Sequence, residues 1–323
     1  MTNAEEQGET QSSDVFAFVP SYNHAPFIEE CLRSIFAQTK YPKKLLVIDD
    51  GSSDNSPAII ERVLKDCPFD SELIARENRG LCKTLNEGLE ASAEEYFAYI
   101  SSDDIWLPGF LSSRTSLLNK RPTAVLAYGH AFVIDDDNFV IDRTDMWGNY
   151  VDGTVTEMLL QPTIPSSASV VYRRSFLIGD PWHEDALLED YDLYLRLSIK
   201  GDFALGEPML SAWRIHGSNT SSDHPRMLSE WLRAQARLAD QIGLSDDRLN
   251  ECQRRVRFGA VATLARNGYQ AEAAAILSET GMFFPFLSRL KMRLRVATPK
   301  WIYTLRGNTR RSKMRSKFGK LKL

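Results

Sequence analysis

The chain has 323 residues, and 43% of them are hydrophobic, which is enough for one large domain or two smaller ones with a sizeable buried core. Its four cysteines show no paired short spacing, which argues against a zinc knuckle or a disulfide framework and favours a reducing compartment. The net charge of −4 is unevenly distributed, since residues 289–323 contain thirteen Lys or Arg and no Asp or Glu and the rest of the chain carries −17.

The basic tail predicts an anionic partner, and the alternative is a solvated terminus without one. The acidic body and the lack of a recognised nucleic-acid-binding module argue against nucleic acid. Residues 1–13 are polar and acidic and lack the apolar core of a secretory signal, which predicts a disordered lead-in. No apolar run approaches the ~20 residues that a membrane-spanning helix needs. We therefore expect a cytoplasmic protein, peripheral at the inner face of the membrane if the tail binds lipid.

Four strand-and-helix units alternate in the first hundred or so residues. The predicted strands lie at 14–20, 44–49, 72–75 and 96–100. Apolar residues at helical spacing or a helix-start signal follow each of them, and the helix after the fourth strand is expected to start at Trp106-Leu107-Pro108, with Pro108 in its first turn. Such alternation implies a mostly parallel sheet with helices on both faces.

After residue 122 the alternation fades. Short strands are predicted between 125 and 141 and at 169–172, and the stretch 185–200 (DALLEDYDLYLRLSIK) has a helical pattern. From about 225 to 280 the pattern is helical throughout. These last helices either cap the core or form a homo-oligomer interface, and the sequence leaves both open.

Polar clusters follow each of the four predicted strands. They are Ser21-Tyr22-Asn23, Asp49-Asp50-Gly51-Ser52, Glu77-Asn78 and Asp103-Asp104. Because the carboxyl ends of parallel strands share one edge of a sheet, these clusters should meet at a ligand site. Helix capping explains one such aspartate at a time, but not the recurrence at every strand end.

Two phosphate-binding motifs are absent. No G-x-G-x-x-G follows the first strand and no G-x-x-x-x-G-K-[ST] occurs in the chain, so neither a dinucleotide-type Rossmann site nor a P-loop is supported. The segments PSYNHAP and DDGSSDNS instead offer carboxylates and an aromatic ring, groups suited to a base and a ribose.

Six fragments, taken together, resemble the family 2 glycosyltransferases, which are nucleotide-sugar-dependent enzymes of the GT-A type fold. They are VPSYNHAPFIEECLRSIFAQT, LLVIDDGSSDNS, ENRGLCKTLNEGL, SSDDIWLPGFL, LLEDYDLYLRLS and WRIHGSNTS, in this order. The resemblance covers about two-thirds of the chain. It implies an α/β fold, with a Rossmann-like, mostly parallel sheet flanked by helices and an α-helical C-terminal region after it.

The resemblance also implies a division of the chain. A glycosyltransferase domain is expected at 14–222, with a nucleotide-binding half at 14–122 and an acceptor-side half at 123–222. A helical region at 223–288 and the basic tail at 289–323 would follow.

The resemblance implies roles for the residues at the sheet edge. The nucleotide-sugar site would consist of Pro20, Ser21, Tyr22, Asp49, Asp50, Asn78, Gly80, Lys83, Asp103 and Glu189. Asp103 and Asp104 match the acidic metal motif and would hold Mn²⁺ or Mg²⁺ against the diphosphate. His216 is either a third metal ligand or a loop residue, and Asp190 matches the general base of an inverting enzyme.

Several side chains leave two interpretations open. Trp106, Trp182 and Trp213 would either line the sugar site or pack in the core. Asp192 and Arg196, four residues apart on the predicted helix, would form a surface ion pair. The chain departs from the family pattern at Ser101, where the metal motif commonly begins with aspartate, and at Leu85, where arginine is frequent.

The predicted function is metal-dependent, inverting transfer of a sugar from a nucleoside-diphosphate donor, with UDP as the expected nucleotide. The acceptor would be a hydroxyl of a glycan or a lipid-linked molecule in bacterial surface-polysaccharide biosynthesis, and the tail would hold the enzyme at the anionic membrane. The alternative is a non-catalytic nucleotide-sugar-binding or scaffold protein that keeps the fold.

Overall fold

The chain folds around one large and one small β-sheet. The computed structural model describes residues 13–161, 163–217 and 222–322, so almost all of the predicted lead-in and residues 218–221 of the last motif lie outside the described residues. The strands are β1 (Val15–Ser21), β2 (Lys44–Asp50), β3 (Ser71–Arg76), β4 (Tyr96–Tyr99), β5 (Ile105–Trp106), β6 (Ala124–Gly129), β7 (Phe132–Ile134), β8 (Val140–Arg143), β9 (Val171–Arg173), β10 (Asp202–Gly206) and β11 (Ser211–Arg214).

Helices connect these strands and make up most of the C-terminal part. They are α1 (Ile28–Phe36), α2 (Ser56–Leu64), α3 (Leu81–Ala91), α4 (Phe110–Lys120), α5 (Thr156–Leu160), α6 (Glu189–Leu197), α7 (His224–Leu238), α8 (Asp246–Asn267), α9 (Gln270–Thr280), α10 (Phe286–Ala297) and α11 (Lys300–Phe318). No helix among the described residues is both long enough and apolar enough to span a bilayer.

The large sheet has seven strands in the order β10-β6-β9-β4-β1-β2-β3. Strands β4, β1, β2 and β3 run parallel, and β9 runs antiparallel to both of its neighbours. The small sheet has the strand order β5-β11-β7-β8. Its strand β11 ends at Arg214, two residues before His216. The predicted α/β fold, with a mostly parallel sheet flanked by helices, is confirmed.

Alternate residues of β1 enter the hydrophobic clusters on the two faces of the large sheet. Phe16 and Phe18 belong to one cluster, and Val15, Ala17 and Val19 belong to the other. All five are buried, as expected for a central strand that helices cover on both sides. The strand therefore holds its carboxyl end rigidly at the sheet edge.

Two predicted helices begin a few residues later than expected. Trp106 lies in β5, fully buried, where its Nε1 donates a hydrogen bond to the carbonyl oxygen of Ala168 at 2.9 Å, and α4 begins only at Phe110. The helix predicted at 185–200 begins at Glu189, because the residues before it form an irregular segment that side chains of α6 and α7 hold in place.

The C-terminal helices have a hydrophobic cluster of their own. In it, Phe258 of α8 stacks on Phe284, with 3.9 Å between ring centroids. Helix α11 returns to the small sheet, where Phe318 lies 6.2 Å from Phe132 between ring centroids. The basic tail is therefore two helices, and α10 runs across the division expected between residues 288 and 289.

Asp192 and Arg196 form an internal ion pair rather than the surface pair that was predicted. Both side chains are fully buried, and Nε of Arg196 lies 3.0 Å from a carboxylate oxygen of Asp192. The same carboxylate contacts Nδ1 of His183 at 2.9 Å and the guanidinium of Arg237. Arg196 also donates to two backbone carbonyl oxygens of residues 180–181, at 3.0 and 2.8 Å. This network ties the irregular segment to α6.

We expect Asp192→Asn to lower the free energy of unfolding by about 3 kcal/mol, because it removes one of the two carboxylates, those of Asp192 and Asp180, that compensate the buried guanidinium of Arg196. Urea unfolding followed by circular dichroism measures this. The matched control is Asp185→Asn, since Asp185 also pairs with Arg237, at 3.1 Å, but is 80% exposed. Its loss should cost less than about 1 kcal/mol, and equal costs for the two variants would contradict the proposed role of burial.

Candidate functional site

A cleft of about 1090 Å³ opens at the carboxyl ends of β1, β2 and β4. The start of α6, the segment before it and part of α7 complete the walls. The predicted site residues that line this cleft are Pro20, Ser21, Tyr22, Asp50, Asn78, Gly80, Lys83, Asp103, Asp104, Glu189, Asp190 and His216. The structure therefore brings together side chains that are up to nearly 200 positions apart in the sequence.

The turn after β1 is pinned to the loop after β2. Asn23 has a φ of 54°, its side-chain oxygen accepts a hydrogen bond from the N–H of Ser53 at 2.7 Å, and its own N–H donates to Oγ of Ser52 at 2.8 Å. Asp49 accepts from the N–H and the hydroxyl of Ser52, at 2.9 and 2.7 Å, and from the hydroxyl of Ser21 at 3.2 Å. Asp49 thus holds these loops together and is not among the residues that line the cleft.

Asp50 is the predicted base-binding carboxylate that does line the cleft. Its oxygens accept hydrogen bonds from the N–H groups of Arg79, at 2.8 Å, and Gly80, at 2.9 Å. The guanidinium of Arg76 contacts the same carboxylate. Because Asp50 is buried, these donors supply the hydrogen bonds that its carboxylate needs, and they fix the loop between β3 and α3 at the cleft edge.

Two predicted binding side chains remain accessible at the cleft. The ring of Tyr22 is half exposed, as suits an aromatic face that stacks on a base. Nζ of Lys83 lies 3.6 Å from a carboxylate oxygen of Glu184, and both side chains are more than half exposed. This ion pair therefore links α3 to the segment before α6, and because it is exposed it contributes little to stability.

His24, Asp103 and His216 form a compact cluster in which one ligand atom of each lies within 4.8 Å of the others. Nε2 of His216 lies 2.9 Å from Oδ2 of Asp103, and Nδ1 of His24 lies 3.8 Å from Oδ1 of the same carboxylate. Nδ1 of His24 also lies 2.8 Å from the hydroxyl of Ser102. Burial lowers the pKa of His24, which favours the neutral imidazole that binds metals. Two imidazoles and a carboxylate fit a divalent transition-metal ion.

Asp104 lines the cleft but does not belong to this cluster, so its role as a metal ligand stays a prediction. Its Oδ1 accepts a hydrogen bond from the N–H of Arg214 at 2.8 Å, because the backbone of residues 103–104 turns the two side chains to different neighbours. Burial and the adjacent Asp103 raise the pKa of Asp104. Nε of Arg214 donates to the carbonyl oxygen of Asp103 at 2.7 Å, so one residue of β11 positions both aspartates.

Glu189 and Asp190 form the start of α6, on another wall of the cleft. The N–H groups that point out of a helix start favour carboxylates at this position, and Oδ1 of Asp190 accepts from the N–H of Tyr191 at 2.7 Å. Burial raises the pKa of both acids, and the charge of Asp190 raises the pKa of Glu189 further. Asp190 therefore ionises first, and Glu189 keeps its proton to higher pH.

Of the three tryptophans expected either at the sugar site or in the core, one lines the cleft and two are core residues. Trp213 lines the cleft and lies edge-on to Trp147, with 5.6 Å between ring centroids. Trp106 and Trp182 are buried in the two main hydrophobic clusters. A role at the sugar site therefore fits Trp213, and the other two are core residues.

Three residues of the site were not singled out in the sequence. His24 stands in the quoted turn PSYNHAP, where its neighbours suggested a nucleotide pocket and not a metal. Arg76 could have been found from strand register, since it is the partner of Asp50 across β2 and β3. Arg214 gives no local signal, because its hydrogen-bonded partner Asp104 lies 110 positions away.

Comparison with known proteins identifies the family. Residues 16–178, about half of the chain, match the model of glycosyl transferase family 2. An uncharacterized glycosyltransferase of Rickettsia typhi is 33% identical over 232 residues, which cover 69% of this chain and 70% of that protein. Another, from Nostoc sp., is 24% identical over 263 residues, with coverage of 78% and 80%.

Solved structures of other proteins share the fold. A Pyrobaculum calidifontis mannosyltransferase, solved in complex with GDP-Man and Mn²⁺, aligns with a TM-score of 0.57 at 17% identity, over 94% of this chain and 88% of that one. Residues 1–349 of S. aureus TarS, solved with UDP-GlcNAc, align with a TM-score of 0.56 at 14% identity, over 94% and 90%. These likenesses confirm the GT-A type fold. The chain belongs to glycosyl transferase family 2 and is a glycosyltransferase.

Proposed function

We propose that this glycosyltransferase moves a sugar from a nucleoside-diphosphate donor to an acceptor hydroxyl, with inversion at the anomeric carbon. The observation that carries the proposal is that Asp103 and Asp190 line one cleft from two different walls. One of them lies in a cluster suited to a metal ion, and the other is a partly exposed carboxylate with a raised pKa at a helix start. Sugar transfer from a diphosphate needs two things, a group that stabilises the leaving diphosphate and a base for the acceptor hydroxyl, and the two carboxylates are suited to these separate tasks.

The donor would lie along the ends of β1, β2 and β4. Tyr22 and Asp50, which line the cleft, would contact the base, and the backbone at Asn78 and Gly80 would approach the ribose and diphosphate. The two complexes of similar fold hold GDP-Man and UDP-GlcNAc. A UDP-sugar is the first donor to test, as the sequence resemblance implies, and a panel of UDP- and GDP-sugars assayed for hydrolysis with Mn²⁺ would identify it.

His24, Asp103 and His216 would hold the metal ion. When bound, a divalent cation neutralises the charge that develops on the diphosphate as it leaves. Mg²⁺ strongly prefers oxygen ligands, whereas Mn²⁺ and related ions accept imidazole. The two histidines of this set therefore favour Mn²⁺ over Mg²⁺, and Mn²⁺ also accompanies the donor in the mannosyltransferase structure.

Asp190 would act as the general base. Its carboxylate takes the proton of the acceptor hydroxyl as the hydroxyl oxygen forms a bond to the anomeric carbon, and the bond from that carbon to the diphosphate oxygen breaks. Attack from the face opposite the leaving group gives inversion. Glu189, protonated at higher pH than Asp190, can donate a hydrogen bond to a sugar hydroxyl.

The two departures from the family pattern do not favour the non-catalytic alternative. Leu85 is fully buried in a core cluster, so an arginine is not missing from the cleft at that position. Arg79 lines the cleft instead and supplies a guanidinium there. The carbonyl oxygen of Ser101 accepts a hydrogen bond from Sγ of Cys31 at 3.6 Å, which gives this residue a structural role at the end of β4.

The acceptor would be a glycan or lipid-linked hydroxyl in bacterial surface-polysaccharide biosynthesis. Trp213 and Trp147 offer aromatic faces at the cleft, and such faces stack on the C–H groups of sugars. Analysis of surface glycans from a strain that lacks this chain would test the assignment, and an unchanged glycan would contradict it.

Asp190→Asn should lower kcat for transfer about 10²–10⁴-fold, because no other group takes the acceptor proton. Donor affinity, measured by calorimetry, should stay near the wild-type value. Glu157→Gln, an exposed carboxylate on α5 outside the cleft, provides the control and should keep full activity. Full transfer by Asp190→Asn would rule out the assignment of this base.

The acid limb of kcat/KM should have its midpoint near pH 6, since burial raises the pKa of Asp190 to about 6 and the base works only when ionised. Activity should therefore fall as the pH drops through this value, about two pH units above the midpoint of an ordinary aspartate. The measurement is a pH–rate profile, with donor binding followed at each pH to exclude loss of substrate. A midpoint near pH 4 would contradict the assignment.

His24→Ala should weaken Mn²⁺ binding at least about tenfold, because it removes one of three protein ligands. Isothermal titration of the full-length chain with MnCl₂ and with MgCl₂ measures both affinities, and the affinity for Mg²⁺ should be lower. His224→Ala removes a half-buried imidazole outside the cluster and serves as the control. If His24→Ala binds Mn²⁺ like the wild type, His24 is not a ligand.

A further inference from the structure

Exposed apolar side chains are concentrated in one short stretch of the C-terminal region. Sixteen large hydrophobic side chains are exposed in the described part of the chain, and eight of them lie between residues 282 and 305. Single exposed apolar residues are ordinary, but a contiguous group marks a contact surface. The stretch centres on α10.

Helix α10 is amphipathic, with one apolar face packed inward and another turned outward. Met292 and Val296 pack against the hydrophobic cluster of α8 and α9. At 100° per residue, Phe286, Leu287, Leu290 and Leu294 fall on one arc of the opposite side. Their exposures are 65%, 76%, 42% and 62%. We call these four residues the α10 apolar face.

Basic residues flank the α10 apolar face on both sides. Helical geometry places Arg289 and Arg293 along one edge, and Lys291 and Arg295 along the other. Residues 281–322 contain no Asp or Glu, and none of these four cations forms an ion pair among the described residues. Lys291 and Arg293 are exposed, so their charge is available to an external anionic surface.

The rest of the basic tail is used differently. Arg310 of α11 pairs with Asp142 at 2.7 Å, and Arg315 pairs with Asp135. These bonds, together with the packing of Phe318 on the small sheet, dock α11 onto the glycosyltransferase domain. Two cations of α11 thus compensate acids of the same chain, whereas Lys291 and Arg293 of α10 are exposed.

We propose that α10 lies in the interface of an anionic lipid membrane, with its apolar face inserted among the acyl chains and its cations at the headgroups. An apolar arc flanked by Lys and Arg on a helix too short to span the bilayer fits this geometry. A second copy of the chain fits worse, because a symmetric pair would bring the cations of the two helices together without counter-charges. The surface needs neither donor nor metal, so the proposal stands apart from the proposed reaction.

The test is co-sedimentation of the full-length chain with vesicles, without donor or metal. We expect binding to vesicles of phosphatidylglycerol in phosphatidylcholine, and at least about tenfold weaker binding to pure phosphatidylcholine. Leu287→Gln/Leu294→Gln should lower the partition coefficient for the anionic vesicles at least about tenfold. The matched control is Ile178→Gln/Ile199→Gln, two isoleucines of the glycosyltransferase domain with exposures of 51% and 46%, which should bind like the wild type.

Three results would overturn the proposal. The wild type could fail to bind anionic vesicles, or the Leu287→Gln/Leu294→Gln variant could bind them as well as the wild type. The same variant could also turn a dimer into a monomer in analytical ultracentrifugation without changing vesicle binding, which would make the α10 apolar face a contact between copies. Thermal unfolding confirms that each variant folds, as expected at exposed positions.

Discussion

The geometry of the cleft depends on one buried cation, Arg214. Its partners are Glu30 at 2.9 Å, the side-chain oxygen of Asn138 at 2.5 Å, the carbonyl oxygens of Asp103 at 2.7 Å and Asp135 at 3.0 Å, and the ring of Phe27, whose centroid lies 4.8 Å away. A guanidinium without access to water must have such partners, because an uncompensated buried charge costs several kcal/mol. The structure therefore has to bring α1, the end of β4 and the loop after β7 to this point. Asp103 is fixed in the process, and His216 follows two residues after the same arginine.

Arg196 plays the corresponding part on the wall that carries Asp190. It is fully buried between the carboxylates of Asp192 and Asp180 and the carbonyl oxygens of residues 180–181, so it clamps the irregular segment onto α6 two turns after the helix start. Buried ion pairs of this kind add little net stability, but breaking one is costly, and so they specify a single arrangement. A catalytic site needs that precision more than it needs stability. Each wall of the cleft thus has its own buried arginine, and neither arginine is placed to touch the sugar.

The regular part of the fold was predictable because its signals are local. Strand and helix periodicity gave the first four units to within a few residues, and the polar clusters at the strand ends correctly predicted a shared cleft. What could not be predicted depends on contacts across the chain. The buried pair of Asp192 and Arg196 depends on α7, because Arg237 of that helix binds the carboxylate of Asp192. These two residues are 45 positions apart in the sequence. The divergence of Asp103 and Asp104 likewise requires β11, and the sequence of the motif alone makes the two aspartates look equivalent.

The number of charges in the tail likewise does not predict what each cation does, because that depends on contacts across the chain. Residues 289–323 form a single basic run in the sequence, but the fold separates them into α10, with its exposed apolar face, and α11, two of whose cations pair with acids of the domain. One of these ion pairs is connected to the cleft through Asp135. Arg315 contacts the carboxylate of Asp135, and the carbonyl oxygen of Asp135 accepts a hydrogen bond from Arg214. The docked half of the tail and the buried arginine therefore hold the same loop. Deleting the whole tail would remove an outward apolar surface and a support of the cleft at once, so only substitutions on one helix can separate the two.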